Sequence, residues 1–396
     1  MPDIDRGLPM TIQFSNYLPD LVATRRFLHQ NPELGLSEFK TSDFIAEQLT
    51  AMGYEVTRGL GQTGLVATLK NGSSDRAIGI RADIDALPIL EETGLDHASQ
   101  TPGLMHACGH DGHTAILLGA ARALAERRNF DGTLNLIFQP AEENFAGAKL
   151  MMDDGLFQRF PCDAVFGLHN DPAIPFGKIA VKEGPMMAAA DECLIVVNGR
   201  GGHGAEPQDA RDPIVCGASI IMALQTIVSR NLHAMDQAVI TVGAFNSGKA
   251  SNVIPERAEM AITVRSFDPA VRDTLERRIR EVAEGQAASY GMGVTITYER
   301  GYEPTINHKA ETDFVRRLAG RVVGDSNVID LARPSMGSED FAFMLAERPG
   351  TYFLLGTGKT DNDPPLHHPR FDFNDDALPI GVSMWVEIAE EWLKPA

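Results

Sequence analysis

Four side chains that can bind a metal ion lie within one stretch of eight residues. The segment His-Ala-Cys-Gly-His-Asp-Gly-His contains His106, Cys108, His110 and His113. Thiolate and imidazole are ligands that zinc prefers, and the chain lacks the second Cys-x-x-Cys pair of a structural zinc knuckle. We therefore interpret Cys108 and His110 as a pair of metal ligands. His106 and His113 can equally be helix-capping or core residues.

A pair of carboxylates follows the apolar run at 134–138. In extended backbone the side chains of Glu142 and Glu143 point in different directions. One carboxylate can then bind a metal ion while the other faces the substrate as a base. A solvated acidic loop is the alternative, but the position just past a buried strand argues against it.

Three further segments carry acids or histidines just after apolar runs or near the C-terminus. His169 ends one run, Asp83 and Asp85 end another with a spacing that puts them on the same side, and His367 and His368 are adjacent near the C-terminus. Sites in open α/β sheets form at the carboxyl ends of the strands. Each segment alone is a weak signal, but together they predict one shared site.

The candidate ligands favour a transition metal. Cys, His and carboxylate together suit Zn²⁺ or Mn²⁺, and the set is too rich in nitrogen and sulfur for Ca²⁺ or Mg²⁺. There are too many candidates for one tetrahedral ion, so two ions about 3.5–4 Å apart fit better. Such ions make hydroxide available near neutral pH, and a carboxylate can move its proton. The residues therefore predict a dinuclear hydrolytic centre.

The elements that must position these residues alternate between strand and helix in the first half of the chain. Helices are predicted at 11–30, at 37–52 (with Ser37 as cap and Gly53 as end) and at 114–128, and strands at 64–69, 77–80, 133–138 and 164–168. This alternation indicates an α/β layer with a mixed, mostly parallel sheet between helices.

The pattern changes at about residue 190. Strands at 193–197, 238–244, 259–265 and 294–298 and helices at 213–229 and 269–289 follow the order β-α-β-β-α-β. That order is the ferredoxin-like motif. We therefore predict a catalytic domain made of residues 1–189 and 303–396, with a lid domain of residues 190–302 inserted in it.

Composition excludes several classes of protein. The 396 residues include 35 Lys and Arg against 54 Asp and Glu, a formal net charge of −19, which argues against nucleic-acid binding. Four Cys do not make a disulfide framework and fit a reducing compartment. Residues 1–14 show no signal peptide, and the longest apolar stretch, at 115–125, is too short to span a membrane. We expect a cytoplasmic protein without membrane or nucleic-acid partners.

The motifs, taken in order, resemble one family. HACGHDGH, QPAEE, GLH, RADIDALP, GGHGAEP, NVIP, GSEDF and LHHP together resemble the hippurate hydrolase branch of the aminoacylase and glutamate-carboxypeptidase metallopeptidase family. They are also similar to plant auxin–amino-acid conjugate hydrolases. The resemblance covers nearly the whole chain. It implies two divalent metal ions per subunit, zinc or manganese first and cobalt or nickel as further candidates. It also implies a homodimer or homotetramer formed through the lid.

The resemblance assigns roles to residues of this chain. It makes Glu142 the general base, and Asp85 the residue that orients a metal-site side chain. The metal ligands that it implies are Cys108, His110, Glu143, His169 and His367. His367 is preferred to His368 because it occupies the family's Leu-His-x-Pro position. Relatives outside the branch carry a metal-binding His where this chain has Asp83, so Asp83 stays unassigned, as do His106, His113, His368 and Glu339.

The lid holds the other polar candidates. The resemblance implies that His203 stabilises the oxyanion, although a turn histidine without a role is the alternative. Asn252 and Arg265 are candidates for binding a substrate carboxylate, and a salt bridge explains Arg265 equally well. The glycine-rich segment at 199–204 lacks the Lys-Ser/Thr ending of a phosphate loop, so we reject nucleotide binding. The GSEDF segment, with Glu339, could face the site or cap a helix.

These expectations converge on a metal-dependent amidohydrolase that cleaves N-acyl amino acids, with hippurate-like, N-acetyl or N-aromatic-acyl substrates leading. A dipeptidase or carboxypeptidase of the same family is the alternative enzyme. A metal-binding protein that has lost catalysis is an alternative of another class, but the Glu142–Glu143 pair argues against it. A structural zinc protein is a third, and it would unfold on chelation.

Overall fold

The computed structural model describes residues 18–395. Residues 1–14, in which no signal peptide was expected, and the start of the helix predicted at 11–30 lie outside the described residues. The chain forms two compact units. Unit 1 comprises the chain up to Met186 together with Thr305–Pro334 and Asp340–Ala396, and unit 2 comprises Met187–Pro304 and Ser335–Glu339. The predicted insert, 190–302, lies inside unit 2, but no sequence signal marks the short return at Ser335–Glu339.

The helices of the described chain are α1 (Leu18–Gln30), α2 (Phe39–Ala51), α3 (His110–Arg127), α4 (Gly147–Asp153), α5 (Leu156–Arg159), α6 (Pro213–Asn231), α7 (Pro269–Ser289), α8 (Lys309–Val323), α9 (Ala342–Glu347) and α10 (Leu378–Trp392).

The strands are β1 (Glu55–Leu60), β2 (Gly64–Asn71), β3 (Ala77–Asp83), β4 (Gly132–Gln139), β5 (Ala164–Pro175), β6 (Ile179–Val181), β7 (Gly184–Met187), β8 (Ala189–Asn198), β9 (Gly202–His203), β10 (Ala238–Ser247), β11 (Val253–Ile254), β12 (Arg257–Ser266), β13 (Gly293–Arg300), β14 (Thr305–Asn307), β15 (Val328–Asp330) and β16 (Gly350–Gly358).

Unit 1 is built on an eight-stranded sheet in the order β1-β2-β4-β3-β5-β16-β6-β15. The central neighbours β4, β3, β5 and β16 are parallel, and the pairs β1–β2, β2–β4 and β16–β6 are antiparallel. Every residue of β3 is buried, as expected for a parallel strand covered on both faces. The predicted fold class, α/β with a mixed and mostly parallel sheet, is confirmed.

Two helix starts differ from the prediction. The cap of α2 is Glu38, without a side-chain capping bond, so the assignment of Ser37 as cap is wrong. The carbonyl of Ser37 instead accepts a hydrogen bond from the Phe39 amide. Helix α3 begins at His110 rather than Thr114, because Gly109 takes a φ of +91° and turns the chain directly before it. The second half of the candidate metal-binding motif, His110–His113, therefore forms the first turn of this helix.

Unit 2 contains a four-stranded antiparallel sheet in the order β10-β12-β8-β13. Buried residues alternate along β8 and β12, so one face of the sheet packs against α6 and α7. Both helices begin with an Asp cap, Asp212 and Asp268, followed by proline in the first turn. The order β8-α6-β10-β12-α7-β13 confirms the predicted ferredoxin-like motif.

In the described chain, α6 is one helix that is long and apolar enough to cross a membrane by length and composition. A helix in the core of a soluble domain meets the same criterion. Here Cys216, Ile220, Leu224 and Ile227 of α6 are buried in the core of unit 2. The apolar composition of α6 is therefore explained at least in part by packing.

Candidate metal centre

The candidate site of unit 1 lies where several elements of the sheet end. Strands β3, β4 and β5 are parallel neighbours, so their carboxyl ends lie at one edge. Asp85 follows β3, Glu142 and Glu143 follow β4, and His169 lies within β5. His110, the first residue of α3, and Cys108, in the loop just before that helix, join them, and the loop after β16 adds His367. Residues that are far apart in sequence thus meet at this edge.

The donor atoms of the five candidate ligands form two groups that share one residue. Cys108, His110 and His169 have ligand atoms within 4.8 Å of one another, and so do Cys108, Glu143 and His367. The sulfur of Cys108 lies 3.3 Å from Nε2 of His169. Nε2 of His367 lies 3.2 Å from Oε1 of Glu143. Two neighbouring three-ligand groups with a common thiol suit two ions better than one.

Hydrogen bonds fix the orientation of two imidazoles. Nδ1 of His110 donates to the backbone oxygen of Asp85 at 3.0 Å and lies 3.1 Å from its carboxylate. Nδ1 of His169 donates to the carbonyl of Asn170 at 2.7 Å. Each bond leaves the Nε2 atom directed at the ligand group, where it can bind a metal ion once it is unprotonated, which is the usual arrangement for metal-binding histidines. Nε2 of His110 is buried and has no hydrogen-bond partner among residues 18–395, as expected of an atom that binds a metal ion.

The charges around the ligands would favour a cation. Burial raises the pKa of the Cys108 thiol well above its usual value, and the carboxylates of Glu143 and Glu142 raise it further. Although burial lowers the pKa of His110, Asp83, Asp85 and Glu143 together raise it to about 10. The pocket therefore holds an excess of negative charge, which a divalent cation would neutralise while stabilising the thiolate.

Asp85 contacts two parts of the site. Besides holding His110, its carboxylate accepts a hydrogen bond of 3.0 Å from the backbone amide of Glu143. Glu142 is buried, and its carboxylate groups with His110 and Glu143 within 4.8 Å. The structure thus places the candidate base directly beside the ligand cluster, and places Asp85 where it can orient both a ligand and the segment that carries the base.

Three buried residues behind the ligands, Arg81, Asp83 and His113, had no role assigned from the sequence. Asp83 forms an ion pair with Arg81 at 2.7 Å, and it lies 2.6 Å from Nδ1 of His113. The backbone amide of Asn170, next to His169, donates to Nε2 of His113 at 3.0 Å. Burial raises the pKa of Asp83, but His110, His113 and Arg81 hold it well below its usual range. Arg81 within a buried strand was the available signal, since a buried arginine needs a partner.

His106 and His368 lie outside both ligand groups. His106 is buried, neither of its ring nitrogens has a hydrogen-bond partner in the described part of the chain, and burial lowers its pKa to about 3. His368 accepts a hydrogen bond from the Arg370 amide at 3.0 Å. Of the His367–His368 pair, the structure brings only His367 to Glu143 within the described residues.

The candidates of the lid all belong to unit 2. His203 on β9 pairs with Val253 on β11, and the carbonyl of the neighbouring Asn252 accepts a hydrogen bond of 2.8 Å from Gly204. Burial lowers the pKa of Arg265 on β12, while Asp191 and Glu192 raise it. The structure thus places His203 and Asn252 side by side at one strand pair, and their part in catalysis stays a prediction.

Glu339 also belongs to unit 2, at the end of the segment Ser335–Glu339, and it is buried. The GSEDF segment does place a polar side chain at the start of a helix, as one alternative predicted: the carboxylate of Asp340 accepts a hydrogen bond of 2.8 Å from the backbone amide of Ala148, in the first turn of α4. Helix α9, which follows the segment, begins at Ala342 with Phe341 as its cap residue, and the side chain of Phe341 makes no capping bond.

Comparison with known proteins gives consistent matches over most of the chain. Residues 79–391 match the model of the peptidase family M20/M25/M40. The hippurate hydrolase of Campylobacter jejuni is 43% identical over 373 residues, which cover 93% of this chain and 96% of that protein. The IAA-amino acid hydrolase ILR1-like 2 of Arabidopsis thaliana is 38% identical over 380 residues, 94% of this chain and 85% of that protein.

A solved structure supports the same assignment. The YXEP protein of Bacillus subtilis, described as a dinuclear metal binding peptidase from the M20 family, superposes with a TM-score of 0.82 at 36% identity. The match covers 96% of this chain and 99% of that protein. The chain therefore belongs to the peptidase family M20/M25/M40, as its motifs predicted, and it is an amidohydrolase of that family.

Proposed function

We propose that this protein hydrolyses the amide bond of N-acyl amino acids and releases a carboxylate and a free amino acid. The observation that carries the proposal is the position of Glu142, a buried carboxylate beside two ligand groups that share Cys108. The hippurate hydrolase and the IAA-amino acid hydrolase, both similar over most of the chain, support an acyl group with an aromatic ring.

In this proposal Cys108, His110, Glu143, His169 and His367 hold two divalent ions, zinc or manganese. When bound, the ions would polarise the amide carbonyl and lower the pKa of a water molecule. Glu142 accepts the proton of that water as it attacks the carbonyl carbon. Glu142 then returns the proton to the amine nitrogen as the C–N bond breaks.

Unit 2 would supply the groups that recognise the substrate. His203 donates a hydrogen bond to the oxygen that becomes negatively charged in the tetrahedral intermediate. Arg265 and Asn252 bind the carboxylate of the amino-acid part, because a guanidinium matches a carboxylate with two parallel hydrogen bonds.

The test compares the wild-type protein with Glu142→Gln on hippurate, N-acetyl amino acids and free dipeptides, with metal content measured in each sample. We expect the wild type to cleave the acyl amino acids, and the variant to lose about 10²- to 10⁴-fold in kcat at full metal content. The exposed Glu347→Gln is the matched control. Undiminished hydrolysis by a fully loaded Glu142→Gln variant would refute the role of Glu142. Cleavage of dipeptides alone would identify a dipeptidase.

A further inference from the structure

A buried carboxylate outside the metal centre holds the segment that carries Glu142. Glu38 is fully buried at the start of α2. Its Oε1 accepts a hydrogen bond of 2.9 Å from the backbone amide of Ala141, and its Oε2 accepts one of 2.6 Å from the hydroxyl of Thr63. Burial raises the pKa of Glu38 to about 7, against these hydrogen bonds, which lower it. The fold thus keeps an acid in a buried position, where its charged form is disfavoured. This acid is bonded to the residue that directly precedes the candidate base in the chain.

The backbone that Glu38 holds is strained. Ala141 has a φ of +51°, in the left-handed region that non-glycine residues rarely occupy. Such a conformation persists only when its surroundings impose it. On the opposite side of the turn, Gly147 donates its amide to the Ala141 carbonyl at 3.1 Å. The conformation of Ala141 decides the direction in which the next residue, Glu142, leaves the turn.

Packing restrains the same turn. A Cβ atom on Gly35 would lie 3.0 Å from both Cα and Cβ of Ala141, so only glycine leaves the turn in its present position. On the other side of Glu142, the amide of Glu143 is held by Asp85 at 3.0 Å. The residues before and after Glu142 are therefore each fixed by a buried carboxylate from a different part of the chain.

We propose that Glu38 is a positioning residue, which through its hydrogen bond to the Ala141 amide fixes the direction of the Glu142 carboxylate. The inference rests on the proposed role of Glu142 as the base. It concerns kcat rather than substrate binding, because the hydrogen bonds of the Glu38 carboxylate go to the Ala141 amide and the Thr63 hydroxyl, neither of which belongs to a candidate ligand. A misplacement of about 1 Å in a catalytic group can cost about 100-fold in rate.

The experiment compares Glu38→Met with Glu38→Gln. The two side chains are similar in size, but only the glutamine oxygen can accept the Ala141 amide. We expect Glu38→Met to lose about 100-fold in kcat, with KM within threefold of wild type and two metal ions still bound. Glu38→Gln should keep kcat within about fivefold. Glu311→Met, at a similarly buried acid in the first turn of α8, is the control for a general loss of packing.

Amide hydrogen exchange of the peptide that contains Ala141 gives a readout independent of activity. Exchange of this amide should accelerate in Glu38→Met and stay near the wild-type rate in Glu38→Gln. The exchange rates can be interpreted even if the wild type cleaves none of the substrates. That outcome would refute the proposed function but not the hydrogen bond between Glu38 and Ala141. Unchanged exchange, equal losses of kcat in both variants, or loss of metal from Glu38→Met would overturn the inference.

A second variant covers the case in which Glu38→Met does not fold. Gly35→Ala would push the Ala141 turn from its other face and leave the Glu38 carboxylate intact. We expect it to lower kcat by about 10-fold or more without loss of metal, because the direction of Glu142 changes. Wild-type kcat in a folded Gly35→Ala protein whose Ala141 amide exchanges faster than in the wild type would overturn the inference, because the turn would then have moved without any effect on Glu142.

Discussion

The adjacent residues His367 and His368 direct their rings to different partners. His367 has a φ of +64°, and its amide donates to the Ala107 carbonyl at 2.9 Å. This bond joins the C-terminal loop to the segment that carries Cys108. The strained backbone directs the His367 ring to Glu143, whereas the ring of His368 accepts a hydrogen bond within its own loop.

Single substitutions of this pair should separate metal binding from loop structure. We expect His367→Ala to weaken metal binding by more than about 100-fold, since even the partners of metal ligands are worth 10- to 100-fold. His368→Ala, the adjacent control, should bind metal within about threefold of wild type. Competition against a chromogenic chelator measures both affinities. An equal loss in the two variants would contradict the choice of His367.

The candidate ligands could be named because Cys108 and His110 lie in a dense Cys/His motif, because Glu143 and His169 follow apolar runs, and because the family resemblance singled out His367. Apart from Asp85, which the family resemblance named, their buried partners could not be named. Arg81 meets Asp340 across 259 positions, and Glu38 meets Ala141 across 103. Hydrogen bonds between such distant residues leave no periodic pattern in the chain. The strain at Ala141 is equally invisible, because alanine carries no preference for a positive φ.

Elements were predicted well where a strand or helix is long and buried. The runs at 77–80 and 133–138 were recognised as strands from continuous apolar residues, and the structure extends both. The three-residue strands β6 and β15 were missed, because so short a segment shows neither alternation nor length. They lie next to each other at one edge of the sheet, where pairing with a neighbour rather than local sequence decides the conformation.

A buried ion pair joins elements of unit 2. Arg272 on α7 contacts Asp191 on β8 at 2.5 Å, and both side chains are almost fully buried. The hydroxyl of Tyr298 on β13 also donates to Asp191, at 2.8 Å. Removing one partner of such a pair leaves an uncompensated charge in the core, which costs more than the pair itself contributes.

We expect Arg272→Met to lower the free energy of unfolding of unit 2 by about 3 kcal/mol. The control is Arg300→Met, which removes exposed ion pairs with Asp273 and Glu276 and should cost at most about 1 kcal/mol. Hydrogen exchange of the β8 amides is the measurement, because both tryptophans, Trp385 and Trp392, lie in unit 1. Equal losses of unfolding free energy in the two variants would show that the buried pair stabilises unit 2 no more than the exposed pairs do.

At the scale of the whole molecule, each unit has an apolar core of its own. The core of unit 1 is formed by residues of the sheet and of helices such as α3 and α10. That of unit 2 lies between its sheet and helices α6 and α7. Of the candidate ligands, none belongs to the core cluster of unit 1 in the described chain. The fold therefore has a source of stability other than metal ions, unlike a small zinc domain.

Chelation should for this reason abolish activity without unfolding the protein. We expect hydrolysis to stop, the far-UV circular dichroism at 25 °C to stay unchanged, and Tm to fall by several degrees. A ligand that binds only the folded state contributes about 2.7 kcal/mol at 100 times its Kd. Removing it also leaves the carboxylates of Glu143 and Asp83, which both lie near Nε2 of His110, without that cation. Re-addition of zinc or manganese, followed by assay and thermal melt, should restore both activity and Tm, whereas magnesium is the negative control. Unfolding at 25 °C on chelation would instead mean that the ions hold the fold together, and that the structural zinc alternative is correct.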